Sequence, residues 1–77
     1  ATVGNIITLY VGATGCEVRT PAGSNVKINN VDSDGTNEAA IPATTLCTFT
    51  CTTTTDWILT AVDELGAVIT AIVPDAA

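Results

Sequence analysis

Leu46-Cys47-Thr48-Phe49-Thr50-Cys51-Thr52-Thr53-Thr54 alternates thiol and aromatic side chains with threonine, so an extended chain puts Cys47, Phe49 and Cys51 on one face and hydroxyls on the other. That period of two reads as a strand. Trp57 to Val62 (WILTAV) and Ala67 to Val73 (AVITAIV) are two further β-rich runs, and the short connections between the three predict a β-meander. Thr55-Asp56 turns the chain before the second run. Asp63-Glu64-Leu65-Gly66 fits a tight hairpin loop in which Gly66 takes positive φ, and Pro74 ends the last strand. A helix over Ala61 to Val73 is disfavoured by Gly66 and by the β-branched Val and Ile.

Working back toward the start, Asn5 to Val11 (NIITLYV) reads as a strand with Ile7, Leu9 and Val11 on one face and Ile6, Thr8 and Tyr10 on the other. Gly12-Ala13-Thr14-Gly15 punctuates the chain before Cys16 to Thr20 (CEVRT), which predicts a hairpin with one polar face. Pro21 to Asn25 is a turn by composition, and Val26 to Val31 alternates as a half-polar edge strand. Asn29 to Glu38 (NNVDSDGTNE) is the most polar segment and the candidate for a long exposed loop. The expected fold is all-β: a small antiparallel β-sandwich or open barrel with a C-terminal β-meander. Residues 1–77 form one domain, with residues 1–4 as an N-terminal arm.

A chain of 77 residues has room for one core. Such a domain buries only about 60% of its unfolded surface, so contact with partners adds usefully to its stability. Hydrophobic residues make up 47% and charged residues 13%, the reverse of a disordered composition. Eight acids against Arg19 and Lys27 give a net charge of -6, which repels phosphate backbones and anionic lipid. No nucleic-acid or membrane partner is therefore expected. No apolar run reaches the ~20 residues of a membrane helix, and Ala1-Thr2-Val3-Gly4 lacks the pattern of a secretory leader, so the chain reads as soluble.

Catalytic chemistry finds little purchase. The chain has no His to serve as a base beside Ser, Thr or Cys, no G-x-S-x-G elbow and no phosphate-binding glycine loop, so it reads as a non-enzyme without a cofactor. Cys47 and Cys51 share a face but lie ~13 Å apart along a straight strand, too far to bond each other. The leading reading has Cys16, Cys47 and Cys51 as buried thiols; a bridge from Cys16 to Cys47 or to Cys51 stays open, and metal ligation is the weakest alternative. Asp32-Ser33-Asp34-Gly35 resembles the opening of a calcium loop. An EF-hand would need a third ligand and a Glu where Thr36 and Ala43 stand, so no metal site is assigned and a solvated turn is expected. Phe49 reads as core. Trp57 reads as structural or as an anchor for a sugar or a protein, and Thr2, Val3 and Trp57 are the candidate partner contacts.

The stretch Ile41 to Pro74, through Pro42-Ala43-Thr44, Thr48-Phe49-Thr50 and the Thr-rich turn, resembles the C-terminal half of small decoration (cement) proteins of tailed bacteriophage capsids. The resemblance implies a virion structural protein on the outer capsid surface, often a trimer, that binds the major capsid protein and braces neighbouring copies. It carries over no residue-level site. The alternatives are a small secreted carbohydrate- or calcium-binding module using Trp57 or Asp32 and Asp34, and a tail or fibre structural domain.

Overall fold

The computed structural model describes residues 2–34 and 37–76. Within them the chain is all-β and contains no helix. Its strands are β1 (Ile6–Val11), β2 (Cys16–Val18), β3 (Lys27–Ile28), β4 (Val31–Asp32), β5 (Asn37–Ile41), β6 (Thr45–Thr53), β7 (Asp56–Val62) and β8 (Asp75–Ala76). They form a larger sheet in the order β1-β6-β7-β3-β4 and a smaller one in the order β2-β5-β8, neither closed into a barrel. The thin dimension of 17 Å is that of two stacked layers.

The alternation in β6 decides the core. Thr45, Cys47, Phe49 and Cys51 are buried while the residues between them face outward. Leu59 and Ala61 of β7 and Val11 of β1 extend that apolar face, and Ala39 and Ile41 of β5 close it from the smaller sheet. The Thr tract makes its own turn. Thr53 Oγ1 donates to Asp56 Oδ2 at 2.8 Å and accepts from Thr55 N at 3.2 Å, which places the turn at Thr54-Thr55 and starts β7 at Asp56. The Asp63 loop forms as expected, with Gly66 at φ 81° and Asp63 Oδ1 accepting from Leu65 N and Ala67 N.

Four expectations are corrected. Cys16 to Thr20 does not form a hairpin with the first strand: β1 pairs with β6 and β2 with β5, so the Gly12–Gly15 segment carries the chain from one sheet to the other. Gly15, at φ 70°, turns that corner beside the Ile41 carbonyl. The edge strand read over Val26 to Val31 is two short strands folded at Asn29-Asn30, both with positive φ (51° and 65°), as a two-residue hairpin turn demands. The loop read over Asn29 to Glu38 therefore includes β4 and the start of β5, with Gly35 and Thr36 outside the described residues.

The fourth correction concerns strand pairing and the meander. β3 lies parallel to β7, so the larger sheet is mixed and not wholly antiparallel. Residues 67–73 then find the second edge of β7 already occupied and join it only at the Val62–Val68 bridge and through Ile69 N donating to Ala61 O. The run instead crosses the end of the core, where Ile69 and Ile72 pack.

Asn29 completes that edge. Its backbone N–H donates to Trp57 O, its Nδ2 donates to Leu59 O (3.1 Å) and Ile72 O (2.8 Å), and its Oδ1 accepts from Leu59 N (2.8 Å). One amide side chain thus substitutes for a strand where β3 ends. A hydroxyl network does similar work beneath β4, where the buried Ser33 donates to Val26 O at 2.8 Å and meets Thr20 Oγ1 at 3.1 Å.

Candidate docking face

The face of the larger sheet turned away from the core is covered by no other described element. The registers of β1, β6 and β7 set its side chains in three cross-strand rows: Ile6–Thr50–Ile58, Thr8–Thr48–Thr60 and Tyr10–Leu46–Val62. None carries a charge. Ile6 and Tyr10 are each 63% exposed, Ile58 49% and Leu46 42%. Charge begins only at the border of this array, at Asp56 and at Lys27 and Asp32 on β3 and β4. A surface of apolar groups around a central row of hydroxyls has no charge to strip of water, and depletion of charge marks the core of an interface.

A cluster of acids lies elsewhere. Glu17, Glu38 and Asp75 gather on the smaller sheet, where Arg19 Nη1 reaches Glu38 Oε1 at 3.7 Å. The Glu17 carboxyl is pushed above the ordinary range, first by its hydrogen bond with Glu38 and by that residue's charge, while Arg19 opposes the shift. Asp34 is held below the ordinary range chiefly by the Asn25 backbone N–H, which donates to its Oδ2 at 2.9 Å.

The carboxylates read as the start of a calcium loop serve the loop itself. Asp32 Oδ1 accepts from Asp34 N, and Asp32 O accepts from Asn37 Nδ2. Among the described residues no three His, Cys, Asp or Glu side chains converge as a metal cage.

Trp57 is half-buried and walls an apolar cleft of about 290 Å³ together with Ile7 and Leu9 of β1, Phe49 of β6, Ile28 of β3 and Val18 of β2. Thr20 supplies its one hydroxyl. Such walls suit an aliphatic group better than a sugar, whose hydroxyls need hydrogen-bond partners. Thr2 and Val3 are exposed, but the segment read as an arm is a turn over its described part: Asn5 N donates to Thr2 O, and Gly4 N to Cys51 O at the end of β6. Ala1 lies outside the described residues.

The cysteines are all free. Cys47 and Cys51 are buried, and burial together with the neighbouring Cys16 pushes the Cys47 thiol up. Cys16 is exposed, which corrects the reading of three buried thiols: it shares a face with Val18, but it opens a three-residue strand at the edge of the smaller sheet, where the core no longer covers it. A thiol reagent in excess is accordingly expected to label Cys16 alone in the folded protein and all three cysteines after denaturation, as read by intact mass.

The Ile6/Ile58 and Tyr10/Leu46 rows were half legible. The β1 alternation assigns Ile6, Thr8 and Tyr10 to one face, and the Thr-rich face of β6 is evident, but only the pairing register joins them into one array. Comparison with protein-family models, curated proteins and solved structures finds no match to this chain.

Proposed function

We propose that this chain is a non-enzymatic virion structural protein, a decoration subunit that docks its uncharged sheet face on the outer surface of a bacteriophage capsid and braces neighbouring major capsid proteins. The single supporting observation is the three-row array on β1, β6 and β7, a surface free of charge in a protein of net charge -6. The resemblance of Ile41 to Pro74 supplies the identity of the partner. Acidic groups outside the array keep copies soluble and apart from packaged nucleic acid. Binding to a lattice stabilises a thin-cored domain by mass action, and many equivalent sites multiply modest single contacts.

The test is co-sedimentation of the purified chain with assembled shells of the major capsid protein from the same genome, prepared without this chain. Binding should saturate at a fixed ratio to the capsid subunit and change little between low and high salt, because the face carries no charge to screen. Ile58→Lys, at an exposed position, should fold normally and lose shell binding at least tenfold, since a buried unpaired charge costs well over ~1.4 kcal/mol. Wild-type chain left in the supernatant at all concentrations would overturn the reading.

A further inference from the structure

The larger sheet has one long open edge. β1 ends the strand order and spans six residues, whereas the other edge strands among the described residues, β2, β4 and β8, span three, two and two. Each of those short edges carries an acid, Glu17, Asp32 or Asp75. Short length and inward or flanking charge are how soluble proteins blunt an edge against pairing, and β1 has neither, nor a proline. No Asp, Glu, Lys or Arg lies between Ala1 and Cys16.

The ladder shows which backbone groups of β1 are open. In β7 the groups of Trp57, Leu59 and Ala61 point away from β6, toward Asn29 and Ile69. Alternation across β6 then turns Ile7, Leu9 and Val11 of β1 toward β6, in agreement with Cys51 N donating to Asn5 O one step before Ile6. The N–H and C=O groups of Ile6, Thr8 and Tyr10 therefore face outward, and no described residue bonds to them from that side.

We infer that this edge pairs with β1 of a second copy of the chain, antiparallel about a two-fold axis through Thr8. Only residues with outward groups can form the hydrogen-bonded pairs, and Ile6, Thr8 and Tyr10 are symmetric about Thr8. Thr8 meets the second copy's Thr8, and Ile6 meets its Tyr10 on the docking face. Between them Ile7 and Leu9 become a close non-hydrogen-bonded pair, which covers Ile7, now 54% exposed, and joins the two apolar clefts across the axis. A second copy is favoured over another partner because the same open groups and the same side chains satisfy both sides of the contact, as an isologous interface requires. It is also the approach along which two acidic chains meet without opposing charges.

The pairing is independent of what the docking face binds. It makes a dimer, not the trimer implied by the resemblance, so mass distinguishes them. Sedimentation equilibrium of the full chain should give twice the 7.8 kDa monomer mass as concentration rises. Thr8→Pro is the decisive variant: the Thr8 N–H bonds nothing within the chain, so proline is tolerated there by β1–β6 pairing yet removes both hydrogen bonds of the central Thr8 pair between the copies. It should sediment as a monomer with its native circular dichroism retained. If Thr8→Pro does not fold, amide exchange on the wild type replaces it, with Ile6, Thr8 and Tyr10 protected at high concentration and exchanging freely on dilution. A wild-type monomer at all concentrations, a trimer, a folded Thr8→Pro dimer, or protection of those amides that does not change on dilution would each overturn the inference. Failure to bind shells would leave it standing.

Discussion

Replacement of Asn29 by alanine is expected to lower the unfolding free energy by about 3 kcal/mol, the sum of lost hydrogen bonds and unpaired backbone groups at Leu59 and Ile72. The side chain joins three backbone groups from segments 30 and 43 residues away, none of which has another partner to turn to when β3 has ended. Asparagine also suits the backbone there: at φ 51° it occupies the left-handed region that alanine enters at further cost. For a domain of this size the loss corresponds to a drop of about 15 °C in thermal midpoint. Asn29→Asp should give no rescue at neutral pH: it keeps the acceptor for Leu59 N but sets a carboxylate oxygen against the Leu59 and Ile72 carbonyls. Equal midpoints for wild type and Asn29→Ala in a calorimetric scan would show that the edge of β7 does not depend on this residue.

Gly15→Ala is expected to cost about 3 kcal/mol by a different route. Gly15 sits at φ 70°, and a Cβ built on it would stand 2.8 Å from the Ile41 carbonyl oxygen and 3.5 Å from Ala43 N. The Ile41 oxygen is the obstacle, and because it is backbone it cannot swing aside. Part of the cost is the left-handed conformation, about 1–2 kcal/mol, and the rest is displacement of β2 from β5 at the Cys16–Ile41 pair. Gly66→Ala is the internal control: Gly66 has similar φ, at 81°, but open space around its Cβ position, so it should show the conformational cost alone. Denaturant unfolding of the pair separates the two terms. Equal losses for both would mean that the corner beside Ile41 is free to shift.

These two residues also show where local reading stops. The strands β6 and β7 are legible because burial selects every second residue, and Cys47, Phe49 and Cys51 against Thr48 and Thr50 leave no other period. The Asp63–Gly66 loop is legible because its chemistry is local, an Asx side chain and a positive φ. The Gly12–Gly15 turn has equally good local chemistry, yet it changes sheets, because β1 pairs more than thirty residues downstream with β6 and turn residues do not encode that choice. Ala67 to Val73 has the composition of a strand, but composition does not record that β3 and Asn29 already cover the β7 edge.

The docking face divides in the same way. Which side chains of β1 point outward follows from alternation, and the uncharged stretch up to Cys16 is plain in the sequence. That Thr8, Thr48 and Thr60 form one row follows only from register. Trp57, conspicuous as the sole tryptophan, proves to be a wall of the cleft rather than part of the face.

The most direct measurement is hydroxyl-radical footprinting of the chain free and bound to capsid shells, read residue by residue from peptide masses. Leu46 and Ile58, on β6 and β7 away from the β1 edge, report the docking face apart from any pairing between copies. The account predicts that both are oxidised in the free chain and protected on the shell, while Leu65 and Val68 on the exposed connection beyond β7 stay reactive. Protection of Leu65 and Val68 with Leu46 and Ile58 unchanged would contradict it, because the capsid would then hold the chain by a different surface.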